Sequence, residues 1–319
     1  MRAPEFWYHD GLAARLLTPV GQAYALAGVL RWRLVRPWRS QARILCVGNA
    51  VAGGAGKTPV AIDLAARLNA RGAAVHILGA GYGGRLRGPV RVDPARHRAR
   101  EVGDQALLLA RVAPTWIARD RRAGVAAARA AGAEVIVLDD GLQDPSVAKD
   151  ASLLVIDAEV GFGNGRVIPA GPLREPAGRA LARADAVALV GSGATRPQGD
   201  VPVFTASLEP TIELLDLADR PVLAFAGIGR PGRFFAMLER LGLTVARRHA
   251  FPDHHAYDED TVMRLVEEAA VLGARPVTTE KDFVRLAEDA RPMVTPIPVA
   301  IAWDDTAAVE AWLDRIVPR

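Results

Sequence analysis

Short unbroken apolar runs recur along the chain, and after many of them apolar residues return every three or four positions. The runs at Arg43–Val47, Ala74–Leu78, Thr115–Ala118, Glu134–Leu138, Ser152–Ile156, Ala184–Val190 and Val203–Thr205 read as strands. Continuous runs of this kind suit parallel strands buried on both faces. After the first run, Val60, Ala61, Leu64, Ala65 and Leu68 fall on one helical face, and Gly72 follows where a helix ends. The alternation predicts an α/β fold over residues 41–207, a doubly wound and mostly parallel sheet with ligands at the carboxyl ends of its strands. Residues 208–319 read as a smaller α/β domain, joined near Pro210 and the acidic stretch Leu214–Asp219. Its expected strands are Val222–Ala226, Thr244–Ala250, Pro276–Thr279 and Ile297–Ala302, and its expected helices Gly232–Leu241, Asp258–Leu272 and Thr306–Ile316.

Residues 1–40 follow a different pattern. Trp7, Tyr8, Tyr24, Trp32 and Trp38 surround the uncharged run Leu16–Leu30. A transmembrane helix needs roughly 20 apolar residues, and this run is shorter and contains Pro19, Gly21 and Gln22. A signal peptide would explain Ala25-Leu26-Ala27, but Glu5 and Asp10 spoil its basic leader. An apolar centre with Trp and Arg at its flanks predicts an amphipathic helix lying in a membrane interface. The alternative is a helix packed on its own domain.

The chain has 319 residues, enough for about two domains, and half of them are apolar. A single cysteine, Cys46, excludes a disulfide framework. The net charge of +4 equals that of residues 1–40 alone, where six arginines face two acids. The basic character is therefore local and does not describe a nucleic-acid-binding surface.

The candidate chemistry begins where the first strand ends. Gly48-Asn49-Ala50-Val51-Ala52-Gly53-Gly54-Ala55-Gly56-Lys57-Thr58 places a glycine-rich loop between a strand and a helix, the context of a phosphate-binding P-loop. The backbone amides of Gly53, Gly54, Ala55 and Gly56 would curl around ATP phosphates. Lys57 would reach the β- and γ-phosphates, and Thr58 would ligate Mg²⁺. Val51 stands where the usual pattern has glycine. The strand ending Leu138-Asp139-Asp140 resembles a Walker B segment whose acids hold Mg²⁺. Asp104 precedes an apolar stretch and suits either a helix N-cap or catalysis. His254 and His255 could serve as base, metal ligand or surface turn, and no zinc-like Cys/His spacing accompanies them. Arg166 and Arg174 flank a Gly/Pro-rich segment and could grip a phosphate, or face solvent as loop arginines.

Taken in order, these motifs join Gly81-Tyr82-Gly83-Gly84, Gly103-Asp104, Asp139-Asp140-Gly141-Leu142-Gln143 and Gly161-Phe162-Gly163-Asn164-Gly165. Pro169-Ala170-Gly171-Pro172-Leu173-Arg174-Glu175, Phe251-Pro252-Asp253-His254-His255 and Thr278-Thr279-Glu280-Lys281-Asp282 follow. The set resembles the tetraacyldisaccharide 4'-kinase family over nearly the whole chain. The resemblance implies transfer of the ATP γ-phosphoryl group, with Mg²⁺, to the 4'-hydroxyl of an amphiphilic lipid A disaccharide 1-phosphate. It also implies work at the cytoplasmic face of the bacterial inner membrane. It maps Asp104 and His254 onto catalysis, beside Lys57 of the phosphate loop, and Asn49, Tyr82, Arg166 and Arg174 are the candidate substrate contacts. Three positions depart from the family pattern: Ala80 where Arg is expected, Gln105 where Glu is expected, and Asp144 where His, or sometimes Asn, is expected. A second reading, a membrane-associating regulatory P-loop ATPase, would want a lysine at Ala52. The role of Thr278–Asp282, structural or nucleotide-contacting, stays open.

Overall fold

The computed structural model describes residues 4–54, 56–195, 197, 200–212, 217 and 219–317. Helix α1 (Leu12–Leu34) comes first. The main body follows as β1 (Arg43–Gly48), α2 (Lys57–Ala70), β2 (Val75–Gly79), β3 (Val90–Arg91), α3 (Ala99–Val102), α4 (Asp104–Leu109), β4 (Thr115–Ile117), α5 (Arg121–Ala130), β5 (Val135–Asp139), β6 (Ala151–Asp157), α6 (Ala177–Leu181), β7 (Ala186–Val190) and β8 (Val203–Pro210). The chain then forms β9 (Val222–Ala226), α7 (Pro231–Arg240), β10 (Val245–Ala250), α8 (Glu259–Val271), β11 (Arg275–Thr279), α9 (Glu280–Phe283), β12 (Thr295–Ile297), β13 (Val299–Trp303) and α10 (Thr306–Leu313).

Nine strands form one sheet in the order β13-β8-β7-β6-β1-β5-β2-β4-β3, and four form a second in the order β10-β9-β11-β12. The large sheet is parallel except at its edges, where β3 and β13 run antiparallel to their neighbours. Successive residues of β1 enter opposite cores. Leu45 and Val47 pack with Val60, Leu64 and Leu68 of α2. Ile44 and Cys46 pack with Val125 of α5 and Leu142 on the other face. Burial on both faces is why these strands read as unbroken apolar runs.

The C-terminus departs from the sequence expectation. The strand expected at 297–302 is two strands divided at Pro298. Strand β12 pairs with β11 in the small sheet, and β13 pairs with β8 at the edge of the large one. Proline has no N–H to continue a ladder, so the chain changes sheets there. Helix α10 then docks on α2, where Arg67 and Arg71 both bind Glu310. Trp303 donates to Asp63 at 2.7 Å. A boundary at 207/208 therefore does not enclose the last strand and helix, which complete the larger sheet's layer. Part of the expected junction, residues 213–216 and 218, lies outside the described residues.

Helix α1 lies against the segment 164–174. A side chain at Gly21 would meet the Val167 carbonyl at 2.6 Å, so glycine permits the contact. Leu12, Leu16, Val20, Leu30 and Leu34 stay exposed along the helix. Among the described residues no helix is long and apolar enough to cross a membrane.

Candidate active site

The phosphate loop is built between β1 and α2. Gly56 has φ +81° just before Lys57, a left-handed turn that suits glycine. Lys57 is buried at the first turn of α2, its Nζ 2.8 Å from Asn49 Oδ1 and 3.5 Å from Asp140 Oδ1. Burial lowers the pKa of this ammonium, against the pull of Asp140. Side chains built at Gly53 and Gly54 would meet nothing within 4 Å, so the loop's outer face is open. Val51 forms an antiparallel bridge with Leu173 and packs against the core, which explains a β-branched residue where glycine is usual. Ala52 N–H donates to the Pro172 carbonyl, and Arg174 N–H donates to the Ala50 carbonyl, both at 2.7 Å. The Pro-Ala-Gly-Pro-Leu-Arg segment is thus the wall of the phosphate loop. Ala55 lies outside the described residues.

Asp139 ends β5 and Asp140 follows it, and the charge of Lys57 acts on both. Asp140 adopts a left-handed backbone (φ 60°) and takes two bonds of 2.8 Å from Arg174 Nη1. Burial would raise its pKa, but Lys57 and Arg174 hold it below the ordinary carboxylate value. Asp139 is 3% exposed, and its Oδ1 has no hydrogen-bond partner among the described residues. Burial, then the charge of Asp140, pushes its carboxyl up to about 6. An orphaned buried carboxylate oxygen beside a second acid fits a hard divalent cation. Mg²⁺ takes one or two carboxylates and completes its shell with phosphate and water oxygens. Among the described residues there is no cluster of three or more His, Cys, Asp or Glu that could hold a metal ion.

The smaller sheet contributes the opposite wall. His254, also left-handed (φ 58°), places Nδ1 3.0 Å from Asp104 Oδ2. Asp104, 4% exposed at the start of α4, accepts a second bond from Arg285 Nε at 2.8 Å. Burial alone would raise this carboxyl; the His254 hydrogen bond and the charges of Lys281 and Arg285 outweigh it and hold the pKa at about 2. An anionic carboxylate only accepts, so His254 Nδ1 carries the proton and Nε2 is left with the lone pair. Asp282 is fully buried and organises this wall, accepting from Gly227 N–H, Tyr257 Oη and Arg285 Nη1 at 2.8–2.9 Å. Arg230, before α7, reaches back to the Gly54 carbonyl at 3.3 Å and pairs with Asp157 at the end of β6.

The structure brings Asn49, Lys57, Asp139, Asp140 and Arg174 into one cluster, and Asp104, His254 and Tyr82 into another. Tyr82 is exposed, its ring 5.3 Å from that of His254. The charge of Lys281 lowers the pKa of both Asp104 and Asp139, one from each cluster. Two expected substrate contacts are placed differently. Asn49 is buried and holds Lys57 rather than facing outward. Arg166 bonds Asp10 and Thr18, which fastens α1 to the 164–174 segment. His255 stacks on Phe251, ring centroids 4.6 Å apart, which is a packing role. The departures resolve differently from one another. Ala80 is exposed, Gln105 N–H donates to Asp104 Oδ1, and Asp144 faces α1, 4.0 Å from Arg31. Sequence reasoning missed Arg285, Arg230 and Gln143. Gln143 Nε2 bonds both the Asn49 carbonyl and Glu175. A lone arginine in a loop or short helix carries no pattern that marks it, although Gln143 and Lys281 sat inside quoted motifs.

Comparisons with known proteins agree on one family. The family described as Tetraacyldisaccharide-1-P 4'-kinase matches residues 13–318. The tetraacyldisaccharide 4'-kinase of Rhodospirillum centenum is 53% identical over 99% of this chain and 96% of its own length. That of Rhodospirillum rubrum is 51% identical over 99% of this chain and 98% of its own. Among solved structures, the "apo" form of LpxK from Aquifex aeolicus, in complex with ATP, superposes with a TM-score of 0.79 at 25% identity. The match covers 96% of this chain and all of that one.

Proposed function

The chain belongs to the tetraacyldisaccharide 4'-kinase family, and from that premise we propose how its own residues carry the reaction and where it works. It is an ATP-dependent kinase that phosphorylates the 4'-hydroxyl of a tetraacyldisaccharide 1-phosphate. The open face of Gly53–Gly54 and the N-terminus of α2 receive the ATP phosphates. Thr58, Asp139 and Asp140 hold Mg²⁺, which neutralises phosphate charge when bound. Lys57 follows the charge of the transferring phosphoryl group. His254 Nε2 takes the proton of the 4'-hydroxyl as its oxygen bonds the γ-phosphorus and the bond to ADP breaks. Asp104 fixes the His254 tautomer and stabilises the imidazolium that forms. Asp104 itself is unsuited to reach the hydroxyl, because it is buried and already accepts from His254 and Arg285. We place the enzyme on the cytoplasmic face of the inner membrane, with the exposed apolar row of α1 in the interface.

The observation that carries this reading is the 3.0 Å contact between Asp104 of the larger body and His254 of the smaller. Its test is the set Asp104→Asn, His254→Ala and the double variant. Each single change is expected to lower kcat by roughly 10²–10⁴-fold, with KM for ATP little changed. The double variant is expected to be no slower than the slower single, because residues acting as a unit are not additive. Losses that multiply would show the two act separately.

A further inference from the structure

We propose that Arg183 is a positioning residue for the phosphate loop, the middle link in a chain of side chains that ties Trp32 at the end of α1 to Lys57. The inference rests on the phosphate-loop reading and goes beyond it, since neither Arg183 nor Trp32 belongs to the clusters described above.

The chain starts on α1. Leu30 and Leu34 are exposed, and Trp32 lies between them, about 200° round the helix from Leu30. It is turned toward the body, where its ring meets two cations. Arg183 Cζ lies 4.5 Å and Lys149 Nζ 5.1 Å from the ring centroid. Arg183 Nη2 binds both carboxylate oxygens of Glu175. Glu175 Oε1 accepts from Gln143 Nε2 at 2.9 Å, and the same nitrogen donates to the Asn49 carbonyl at 2.9 Å. Asn49 Oδ1 accepts from Lys57 Nζ at 2.8 Å. Arg183, Glu175, Gln143 and Asn49 thus join Trp32 to Lys57.

The members of this chain have little freedom to move independently. The Gln143 amide nitrogen carries two N–H groups, and both are used. Asn49 is fully buried and Glu175 is 9% exposed, so a bond broken there leaves a desolvated polar group unpaired. Arg183 Nε is buried and has no hydrogen-bond partner among the described residues. The orientation of the guanidinium therefore rests on Glu175 at its edge and Trp32 at its face, two contacts that a planar cation can make at once. Beside the indole is a cavity of about 460 Å³, lined also by Leu142 and Lys149, so close packing does not lock the ring. Its seat follows the position of α1. A shift of α1 would tilt the Arg183 plane, and each buried bond would pass the displacement on to Asn49 and Lys57. A clamp that only fastened α1 to the body would not need to end on Lys57.

The experiment uses the full chain in detergent micelles at saturating acceptor, which takes membrane partition out of the readout. Arg183→Met with Glu175→Gln removes the buried ion pair without stranding either charge. The amide that replaces Glu175 can still accept from Gln143, so only the link to α1 is cut. This pair should lower kcat/KM for ATP about 10–100-fold, as an ångström-scale misplacement does. Its melting temperature and its KM for the lipid acceptor should match wild type. Trp32→Ala should give the same loss, and Trp32→Phe, which keeps an aromatic face for the guanidinium, should restore activity. All three cuts combined (Trp32→Ala, Arg183→Met, Glu175→Gln) should lose no more than the larger effect, because they break one chain. Wild-type kcat/KM for ATP in either cut would overturn the proposal. So would losses that multiply, or a loss that appears only with a lowered melting temperature, which would make Arg183 a structural clamp. A wild-type protein that binds no ATP would instead overturn the phosphate-loop reading beneath it.

Discussion

Asp139 sits where function works against stability. Its carboxyl is buried with one oxygen unpartnered, and its folded pKa of about 6 exceeds the ordinary 3.8. A carboxyl raised in this way stabilises the fold fully below about 3.8, and that contribution is lost as pH rises through about 6. Asp139→Asn removes the charge and keeps the shape. Without Mg²⁺ or ATP, thermal melts should show the variant gaining on wild type between pH 4 and 7. The gain at pH 7 should be at least about 2 °C, the shift that 1 kcal/mol gives in a chain of this size. Mg²⁺ with ATP should then stabilise wild type and fail to stabilise the variant. A variant less stable at pH 7 would mean that the orphaned oxygen is not a destabilising feature. That an acid ends this strand is visible in the sequence; that one acid is salt-bridged and the other orphaned is not. The same holds for His254 and His255, adjacent in sequence and separated in role by one left-handed backbone step at His254.

At the scale of elements, α1 is a helix where the apolar run predicted one. An apolar run flanked by Trp and Arg predicted a helix with a face for lipid, and the helix keeps Leu12, Leu16 and Val20 exposed. What the pattern did not show is how the helix is held. Gly21 abuts the 164–174 segment, and Arg166 binds Asp10 and Thr18. Leu16→Glu with Val20→Glu places two charges on the exposed row without touching these contacts. Flotation on anionic vesicles should fall sharply, while circular dichroism and the KM for ATP stay as in wild type. Flotation equal to wild type would take the membrane contact away from α1.

At the scale of the molecule, the candidate site lies where the two sheets meet. Arg230 and Arg233, flanking the start of α7, both grip Asp157 at the end of β6, and Arg230 also touches the phosphate loop at Gly54. On the other flank, Arg111 pairs with Glu280 at 3.0 Å. Asp104 with His254 and Arg285 lies between these contacts. Arg230→Ala with Arg233→Ala should cut kcat/KM for ATP by roughly 10²-fold, the cost of an ångström-scale misplacement. Circular dichroism should be unaltered, because neither sheet's core is touched. A variant with unchanged kcat/KM would show that these ion pairs do not position the site.

The sequence by itself marked most of the strands, their alternation with helices and a candidate phosphate loop. These are local facts: an apolar run, a helical period, and a glycine loop ending in Lys57 and Thr58 are written in consecutive residues. The tertiary structure alone decided the rest. It split one apolar stretch at Pro298 and sent its halves to different sheets, since hydrophobicity marks burial and not the neighbour that causes it. It set Arg166 on Asp10, while Arg174, eight residues on, went to Asp140. It also set Asp104 against His254 and Arg285, partners 150 and 181 residues distant. A contact across such a separation follows from how sheets stack and loops return, and no spacing in the sequence encodes it.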